Sequence, residues 1–331
     1  MSQKKTIWIN HDPQKVDVSI LAEKFGEAGY DFIAQAIPRD EALTVEMANK
    51  ADVILSSMEP WNENTLSQIA GKGKMIMRYG AGTDNIDIPT ATKYNIPVAN
   101  IPGANATTVA ETAMMHILNL CRCFYDEMDS VKRGGWGAGT LGTELDGKVL
   151  GLLGYGNIAR QLSRMISGFD MTVLAYDPFV SDVAKEYAEK YHVTFVDSKE
   201  ELFRQSDIVS LHIPLMDSTR GSIDKSCFDL MKPTAFLVNT CRGGVINEPD
   251  LIEALNSGKI RAAGLDVICN EPRVENDPIY GAKNVYITPH VASNTKECGI
   301  RSQLVMFETA DAFLHGKLLS NVINRKDIKL D

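Results

Sequence analysis

The chain has 331 residues, of which 44% are hydrophobic and 23% are charged, and its formal net charge at pH 7 is −9. This composition is typical of a globular protein long enough for two domains, and it argues against disordered and fibrous classes. The acidic balance argues against nucleic acid and anionic membrane surfaces as partners. The sequence shows neither a signal peptide nor an apolar stretch of membrane-spanning length, and its six cysteines lack zinc-site or disulfide-framework spacing. We therefore expect a cytoplasmic protein with reduced thiols and no bound metal.

Strand-like and helical segments alternate through the first third of the chain. Short apolar runs begin near Lys5, Asp31, Ala51, Lys74 and Ile96. The segments between these runs are long enough for the helical crossovers that parallel strands require. The pattern predicts an α/β unit with a parallel sheet, followed by one long helix from about Thr108 to Met128.

The segment GLLGYGNIAR, residues 151–160, is an apolar strand that breaks into a glycine turn and then a helix. Gly154 permits a tight reversal, and Gly156 leaves no side chain between the backbone and a bound phosphate. The helix that begins near Asn157 directs unpaired N–H groups and the positive end of its dipole at an anion. Ala159 replaces a third glycine and is small enough for the helix to pack on the strand. The turn predicts a pyrophosphate site, although similar turns also occur for steric reasons alone.

Asp177 follows a second strand, MTVLAY, about twenty residues after the first glycine of the turn. A carboxylate at this place accepts hydrogen bonds from the adenosine ribose hydroxyls and repels a 2′-phosphate. Pro178 and Phe179 come next rather than an arginine, so the sequence predicts NAD and disfavours NADP. The alternative is an ordinary turn aspartate before a proline.

The alternation of strands and helices restarts in the middle of the chain. Strand-like runs begin near Val149, Met171, Asp207, Ala235, Gly264 and Val285. We expect the helix that contains Ile300 and Phe307 to return to the first unit. The predicted domains are residues 1–103 with 292–331, and residues 104–291, with ligands bound in a cleft between them beyond the carboxyl ends of the strands.

Three polar residues, Arg242, Glu271 and His290, follow strand ends in the second unit. A 2-oxo acid needs a cation for its carboxylate and carbonyl oxygen, and a proton donor for that oxygen. Arg242 has the bidentate geometry for the first role, and a histidine with its near-neutral unperturbed pKa suits the second. Glu271, hydrogen-bonded to the other nitrogen of His290, would fix the tautomer and favour the imidazolium. Taken singly, the three could also be a surface arginine, a loop acid and a strand-end histidine.

Seven short motifs occur in order along the chain: YGAGTDNID (79–87), ATTVAE (106–111), GYGNIA (154–159), LHIPL (211–215), NTCRGG (239–244), LDV (265–267) and TPH (288–290). Through them the sequence resembles the D-2-hydroxyacid dehydrogenase family, which includes phosphoglycerate dehydrogenases and hydroxypyruvate reductases, over nearly its whole length. The resemblance implies two doubly wound α/β domains, a Rossmann NAD-binding domain inserted in a flavodoxin-like substrate domain. It also implies hydride exchange between NAD and a small 2-oxo or (R)-2-hydroxy acid, an Arg242–Glu271–His290 catalytic set, and a homodimer formed through the cofactor domain.

The resemblance also assigns further site residues. Ala81 and Gly82 would offer backbone N–H groups to the substrate carboxylate, beside Arg242. Arg78 matches an arginine near the substrate in phosphoglycerate dehydrogenases, where a second cation suits a phosphorylated acid; alternatively it closes a strand or pairs with Asp84. The residues that would line the cofactor, besides the glycine turn, are Thr108, Ile158, Asp177, His212, Pro214, Thr240 and Asp266.

Some features depart from the family pattern or have two interpretations. Cys241 stands where similar sequences carry a small residue such as alanine, and we hypothesise that oxidation or alkylation there slows turnover. Trp136 either shapes an apolar wall of the cleft or packs between domains. Because the sequence ends at Asp331, feedback control by serine through an additional C-terminal domain is not expected.

Other functions were compared with the dehydrogenase. The same fold includes transcriptional corepressors that sense NAD(H) and act through partner proteins while keeping the catalytic set. The chain has no extended disordered tail and no obvious docking segment, which favours the enzyme. A methyltransferase would leave the three polar residues without a purpose, and a formate dehydrogenase needs no acid/base relay. The expected substrate is of the hydroxypyruvate, glyoxylate or phosphoglycerate type.

Overall fold

Two parallel β-sheets organise the chain, which is described here by a computed structural model covering residues 4–136, 139 and 141–330. One compact unit is formed by the residues up to Asn105 and from Asn294 onward, and the other by Ala106–Ser293. The divisions predicted from the sequence, at 103/104 and 291/292, fall in the same two connecting segments. Within the described ranges, none of the helices combines the length and the apolar character that a membrane crossing requires.

The first unit contains a five-stranded sheet. Its elements are β1 (Thr6–Ile9), α1 (Ser19–Glu27), β2 (Asp31–Ala34), α2 (Glu41–Asn49), β3 (Val53–Ser56), α3 (Glu63–Ile69), β4 (Met75–Arg78), α4 (Ile88–Lys93) and β5 (Val98–Ala99). All pairings are parallel, and the strand order is β2-β1-β3-β4-β5. This is the doubly wound order of flavodoxin-like folds.

The second unit contains a seven-stranded sheet, also parallel throughout. Its elements are α5 (Ala106–Cys121), α6 (Phe124–Lys132), β6 (Val149–Leu153), α7 (Asn157–Ile166), β7 (Thr172–Tyr176), α8 (Asp182–Lys190), β8 (Val193–Phe195), α9 (Lys199–Gln205), β9 (Ile208–Leu211), α10 (Lys225–Leu230), β10 (Phe236–Asn239), α11 (Glu248–Asn256), β11 (Ala262–Leu265) and β12 (Val285–Ile287). The order β12-β11-β10-β9-β6-β7-β8 reverses between β6 and β9, as in Rossmann folds. The two strand orders confirm the predicted fold class.

Both faces of the seven-stranded sheet are buried. Strands β9, β10 and β11 are buried at every position, which is why their sequences are mostly apolar rather than alternating; Ser210 and Asn239 are their polar residues. Neighbouring residues nevertheless belong to different cores, because side chains alternate across a strand: Leu237 lies in one apolar cluster, and Phe236 and Val238 lie in the other. The sheet thus forms a rigid base for the loops at its carboxyl edge.

Two elements differ from the sequence-based prediction. The long helix predicted from Thr108 to Met128 is divided into α5 and α6, because Cys123 between them has a left-handed backbone with φ of 52°. Strand β8 was missed, and it is a three-residue edge strand with only Val193 buried. A short, half-exposed strand of this kind carries little apolar periodicity for the sequence to reveal.

The last helix, α12 (Lys296–Leu314), packs against α1 in the first unit. The side chain of Gln303 accepts a hydrogen bond from Leu21 N at 3.2 Å, and the Tyr30 hydroxyl donates to Asp311 at 2.9 Å. The ring centroids of Phe25 and Phe307 are 5.2 Å apart. The end of the described chain therefore completes the first unit, as expected.

Candidate active site and nucleotide site

The turn between β6 and α7 is shaped by two glycines. Gly154 has φ of 88°, and its amide donates to Tyr176 O, 2.8 Å away at the end of β7. A Cβ on Gly154 would lie 2.6 Å from the carbonyl oxygen of His212, so a side chain here would force the backbone apart. Gly156 is the N-cap of α7, makes no side-chain capping bond, and has open space where a Cβ would be. The first amides of α7 are therefore available to an anion.

Asp177 lies beside this turn, directly after β7. Its Oδ2 accepts a hydrogen bond from Tyr155 N, and its Oδ1 accepts one from Phe179 N, both at 2.8 Å. These two amides fix the orientation of the carboxylate. Since a carboxylate can accept about four hydrogen bonds, lone pairs remain for the hydroxyls of a ribose.

Two buried polar atoms next to β9 and β10 lack a hydrogen-bond partner among the described residues: Nδ1 of His212 and Oγ1 of Thr240. The other ring nitrogen of His212 is 2.9 Å from Ser210 Oγ, and burial lowers the pKa of His212 to about 3, so the ring is neutral. Leaving buried polar atoms unpaired is unfavourable. Together with the glycine turn, they fit a bound dinucleotide that would provide the missing partners.

The structure brings most of the predicted cofactor residues to one edge of the second sheet. Because the strands are parallel, the residues that follow their carboxyl ends share that edge; they are Gly154, Asp177, His212, Thr240 and Asp266. Asn157 and Ile158 begin α7, Thr108 lies in the first turn of α5, and Pro214 follows β9 three residues after its end. The Asn157 side chain accepts a hydrogen bond from the Arg160 guanidinium.

The three predicted catalytic residues follow three adjacent strands of the same sheet. Arg242 comes after β10, Glu271 after β11, and His290 after β12. His290 Nδ1 is 2.5 Å from Glu271 Oε2, and these side chains are 46% and 30% exposed. The other Glu271 oxygen accepts a hydrogen bond from Ile268 N at 2.9 Å. The carboxylate is held by its own loop and contacts one ring nitrogen, so the other ring nitrogen is left for chemistry.

The charge of Glu271 is stabilised by its surroundings. Burial opposes the charge, but hydrogen bonds from His290 and Ile268, and the positive charges of His290 and Arg242, together hold the pKa of Glu271 below its usual value. Arg242 thus acts electrostatically on the pair.

The loop that carries Arg242 depends on close backbone approach. Asn239 Nδ2 donates to Arg242 O at 2.9 Å, and the Arg242 guanidinium donates to Cys241 O at 2.7 Å. A Cβ on Gly243 would collide with the backbone of Ile268, in the loop that leads to Glu271. The glycine after Arg242 therefore lets the arginine loop and the glutamate loop pack against each other.

Asp266, predicted to line the cofactor, uses its carboxylate within its own unit. It accepts hydrogen bonds from the Thr288 hydroxyl at 2.6 Å, from Val291 N at 3.0 Å and from Ala292 N at 2.8 Å. Its carbonyl oxygen accepts one from His290 N at 2.8 Å. Asp266 therefore holds the loop that carries His290 in place.

The predicted substrate loop lies in the first unit, directly after β4. Ala81 O accepts a hydrogen bond from Asn100 Nδ2 at 2.6 Å, while the amides of Ala81 and Gly82 donate to no other described residue. Arg78, the last residue of β4, donates to Tyr79 O at 2.5 Å and lies 3.1 Å from Met58 Sδ. The loop thus offers backbone N–H groups with a guanidinium close by.

Two titratable residues near this loop were not predicted from the sequence. Burial lowers the pKa of His11, which follows β1, to about 4, and its ring meets Tyr79 edge-on at 4.9 Å. Burial raises the pKa of Glu59, which follows β3 and is 1% exposed. Their positions just after strand ends were the signal available, but neither belongs to a motif.

Comparison with known proteins gives the family. Residues 114–292 match the family model described as D-isomer specific 2-hydroxyacid dehydrogenase, NAD binding domain. The chain belongs to this family. The match includes the glycine turn and all three predicted catalytic residues, and it supports a nicotinamide cofactor for this dehydrogenase-family chain.

Three members or neighbours of the family illustrate the similarity. The D-3-phosphoglycerate dehydrogenase of Methanocaldococcus jannaschii is 37% identical over 318 residues, which are 96% of this chain but 59% of that protein. The hydroxypyruvate reductase of Thermotoga maritima is 38% identical over 286 residues, 84% of this chain and 86% of that protein. A solved structure of an acyclic imino acid reductase in complex with NADPH and D-Arg has a TM-score of 0.86 and 27% identity, covering 96% of this chain and 99% of that one. The chain thus spans less than two thirds of the length of the Methanocaldococcus jannaschii protein.

Two features of this family member bear on the sequence-based hypotheses. The Cys241 thiol lies 3.1 Å from Asn239 Oδ1, and burial raises its pKa to about 11. Because the thiolate is the reactive form, such a pKa opposes the hypothesis that Cys241 reacts readily with oxidants or alkylating agents. Trp136 is 93% exposed, so it is not packed against the described residues.

Proposed function

We propose that this chain is an NAD-dependent oxidoreductase that interconverts a 2-oxo acid and the corresponding (R)-2-hydroxy acid. The observation that supports the proposal most strongly is the 2.5 Å contact between His290 Nδ1 and Glu271 Oε2, on loops after adjacent strands, with Arg242 on the loop after the next strand. A structural histidine on a surface loop needs no half-buried carboxylate partner. An acid/base histidine does, because the carboxylate fixes its tautomer and stabilises its charged form.

In the proposed mechanism, Arg242 binds the carboxylate of the 2-oxo acid and polarises its carbonyl oxygen. His290, protonated and held by Glu271, donates a proton from its other ring nitrogen to that oxygen. A nicotinamide, when bound, supplies the hydride that goes to the carbonyl carbon in this direction and accepts it in the reverse direction. In the reverse direction His290 takes the hydroxyl proton. We also propose that the amides of Ala81 and Gly82 bind the substrate carboxylate.

We propose NAD rather than NADP as the preferred cofactor. The support is Asp177, whose carboxylate is fixed by two backbone amides beside the glycine turn. A negative charge there repels a 2′-phosphate. The imino acid reductase described above was solved with NADPH, so the fold alone does not determine the cofactor, and we propose that the preference of this chain depends on its own residue at the end of β7.

The proposed substrates are small acids of the hydroxypyruvate, glyoxylate or phosphoglycerate type. The names of the relatives support this range, and Arg78 beside the predicted substrate loop supplies a second cation. The test is NADH oxidation with hydroxypyruvate, glyoxylate, phenylpyruvate and phosphohydroxypyruvate. We expect turnover with at least one of hydroxypyruvate, glyoxylate and phosphohydroxypyruvate. No turnover of any 2-oxo acid, with NADH bound, would leave the NAD(H)-sensing corepressor-like alternative in its place.

We also propose that the protein acts as a cytoplasmic homodimer. The residues Phe124, Met128 and Val131 of α6 are 51%, 39% and 52% exposed, and α6 has no buried residue. Their spacing puts them on one face of the helix. An apolar face of this kind on a soluble domain fits an interface with a second copy better than a free surface.

A further inference from the structure

A partly buried chain of hydrogen bonds connects α5 and α6 to the loop that carries His290. His116, on α5, is fully buried, and its Nε2 is 3.3 Å from Thr288 Oγ1. Its Nδ1 is 3.3 Å from the Tyr125 hydroxyl, which accepts a hydrogen bond from Asn119 Nδ2 at 3.1 Å. His116, Tyr125 and Asn119 in this chain of hydrogen bonds have no role in the proposed mechanism.

The direction of each hydrogen bond follows from the chemistry of the groups. The Thr288 hydroxyl donates to Asp266 Oδ1 at 2.6 Å, so its oxygen can only accept from His116 Nε2–H. Burial lowers the pKa of His116, although Asp266 opposes this, so the ring is neutral and its Nδ1 carries no proton. Nδ1 therefore accepts from the Tyr125 hydroxyl. The His116 tautomer with its proton on Nε2 therefore satisfies all of these hydrogen bonds.

The far end of the chain is the catalytic loop itself. The Asp266 carboxylate that accepts from Thr288 also accepts from Val291 N and Ala292 N, the two amides after His290. The Asp266 carbonyl accepts from His290 N. A shift of Thr288 or Asp266 would therefore move the backbone on both sides of the imidazole.

The fold makes room for the His116 ring at the cost of a side chain on β11. A Cβ on Gly264 would lie 2.9 Å from His116 Nδ1 and 3.0 Å from its Cγ. On the other side, the Tyr125 ring stacks on Tyr286 of β12, with ring centroids 4.7 Å apart. The His116 ring thus packs on β11 and the Tyr125 ring packs on β12, the two strands whose loops carry Glu271 and His290.

We infer that His116, with Tyr125 and Asn119 behind it, is a positioning residue that acts through Thr288 and Asp266 to hold His290 in its catalytic position. The expected effect on turnover rests on the proposed function. The expected effect on the structural order of the His290 loop rests on the structure alone. A displacement of about 1 Å at a reacting group costs about a hundredfold in rate, so a device that fixes this loop acts on turnover rather than on substrate affinity.

The test compares Thr288→Val, which removes the hydroxyl at constant shape, with Thr288→Ser, which keeps it. His116→Phe and the double variant His116→Phe/Thr288→Val complete a double-mutant cycle. Thr44→Val is the control, because it makes the same replacement at a buried threonine of the first unit, whose hydroxyl donates to Asp40 O at 2.7 Å. Three quantities are measured: kcat and KM with NADH and the best 2-oxo acid, hydrogen exchange of residues 286–293, and the melting temperature.

We expect Thr288→Val and His116→Phe each to lower kcat about tenfold or more, with KM little changed and exchange of residues 286–293 faster. Thr288→Ser should keep most of the turnover, and the double variant should be no slower than the slower single variant, because the chain is already broken. Thr44→Val should lower the melting temperature and leave kcat and exchange of this loop unchanged.

The inference is overturned if Thr288→Val and Thr288→Ser lose turnover equally, if the two single losses multiply in the double variant, or if His116→Phe leaves both kcat and loop exchange at wild-type values. Failure of the proposed function is a different result. In that case the wild-type protein turns over no 2-oxo acid, and the exchange of residues 286–293 alone decides whether the chain holds the loop.

Discussion

The backbone of His290 is held in a conformation that non-glycine residues adopt only rarely, with φ of 55°. Its amide donates to Asp266 O at 2.8 Å and to Thr288 O at 3.0 Å, and the imidazole contacts Glu271 at 2.5 Å. A strained residue persists where its surroundings determine it. The cost of this conformation is compensated by contacts that all serve to orient one ring.

If His290 is the acid/base, His290→Ala should lower kcat by about a hundred- to ten-thousandfold with NADH affinity unchanged. The reason is that the alanine variant keeps the nucleotide turn and loses only the proton donor. Steady-state kinetics and NADH fluorescence titration measure the two quantities. His315→Ala is the matched control, because His315 is another exposed histidine beside a carboxylate, 3.5 Å from Asp311, and it lies at the end of α12. A wild-type kcat in His290→Ala would remove His290 from the mechanism.

The lowered pKa of Glu271 predicts a pH dependence of stability. A carboxyl whose folded-state pKa is depressed stabilises the fold above its unfolded pKa of about 4.3, and the contribution is lost as the pH falls through the folded value. The difference in melting temperature between wild type and Glu271→Gln should therefore be largest near pH 7 and shrink toward pH 3. Glu253→Gln, which breaks an exposed ion pair with Lys225, should show little change at any pH. An equal Glu271→Gln difference at pH 7 and pH 3 would contradict the assignment.

At the scale of elements, three neighbouring parallel strands bring the proposed catalytic residues together. Arg242, Glu271 and His290 are far apart in the sequence, but β10, β11 and β12 are adjacent in the sheet and end at one edge. Glycines allow the loops after these strands to approach, as Gly243 does against Ile268. The strands bring the three residues close together, and the loops after the strands orient their side chains.

The segment β6–α7–β7 leads to a prediction about the choice of cofactor. Asp177→Ala should reduce the preference for NADH over NADPH about tenfold or more, because it removes the carboxylate that we propose repels a 2′-phosphate and binds the ribose. The ratio of kcat/KM for the two cofactors measures the preference. Asp182→Ala, at an exposed aspartate that begins α8, should leave the ratio unchanged. If both variants keep the wild-type ratio, another residue determines the choice of cofactor.

Much of the fold could be predicted from the sequence, because strand and turn signals are local. The glycine turn, Asp177 and the three polar residues after strand ends all have such signals. The chain of hydrogen bonds through His116 and Thr288 could not be predicted, because it depends on the packing of α5 against β11 and against the loop after β12, across long sequence separations. The break at Cys123 was also hidden, since a cysteine in a helical pattern gives no indication of a left-handed backbone.

At the scale of the whole molecule, α6 links the interior to the surface. On one side Tyr125 stacks on Tyr286, and Asp126 accepts a hydrogen bond from the Tyr286 hydroxyl at 2.6 Å. On the other side Phe124, Met128 and Val131 are exposed. A helix anchored by its polar and aromatic side chains, with its aliphatic and phenyl groups left outside, is arranged for contact with another surface.

If that surface is a second copy of the chain, the protein should sediment at twice the mass of one chain at micromolar concentration. Val131→Glu should shift it toward the monomer, because a carboxylate buried without a partner in an apolar interface is strongly unfavourable. Val183→Glu is the matched control, since Val183 is 55% exposed on α8 of the same unit and should leave the mass unchanged. Sedimentation velocity at several concentrations measures the equilibrium. A wild-type protein that stays monomeric, or a dimer that Val131→Glu does not weaken, would exclude the α6 face from self-association and leave it for a different partner.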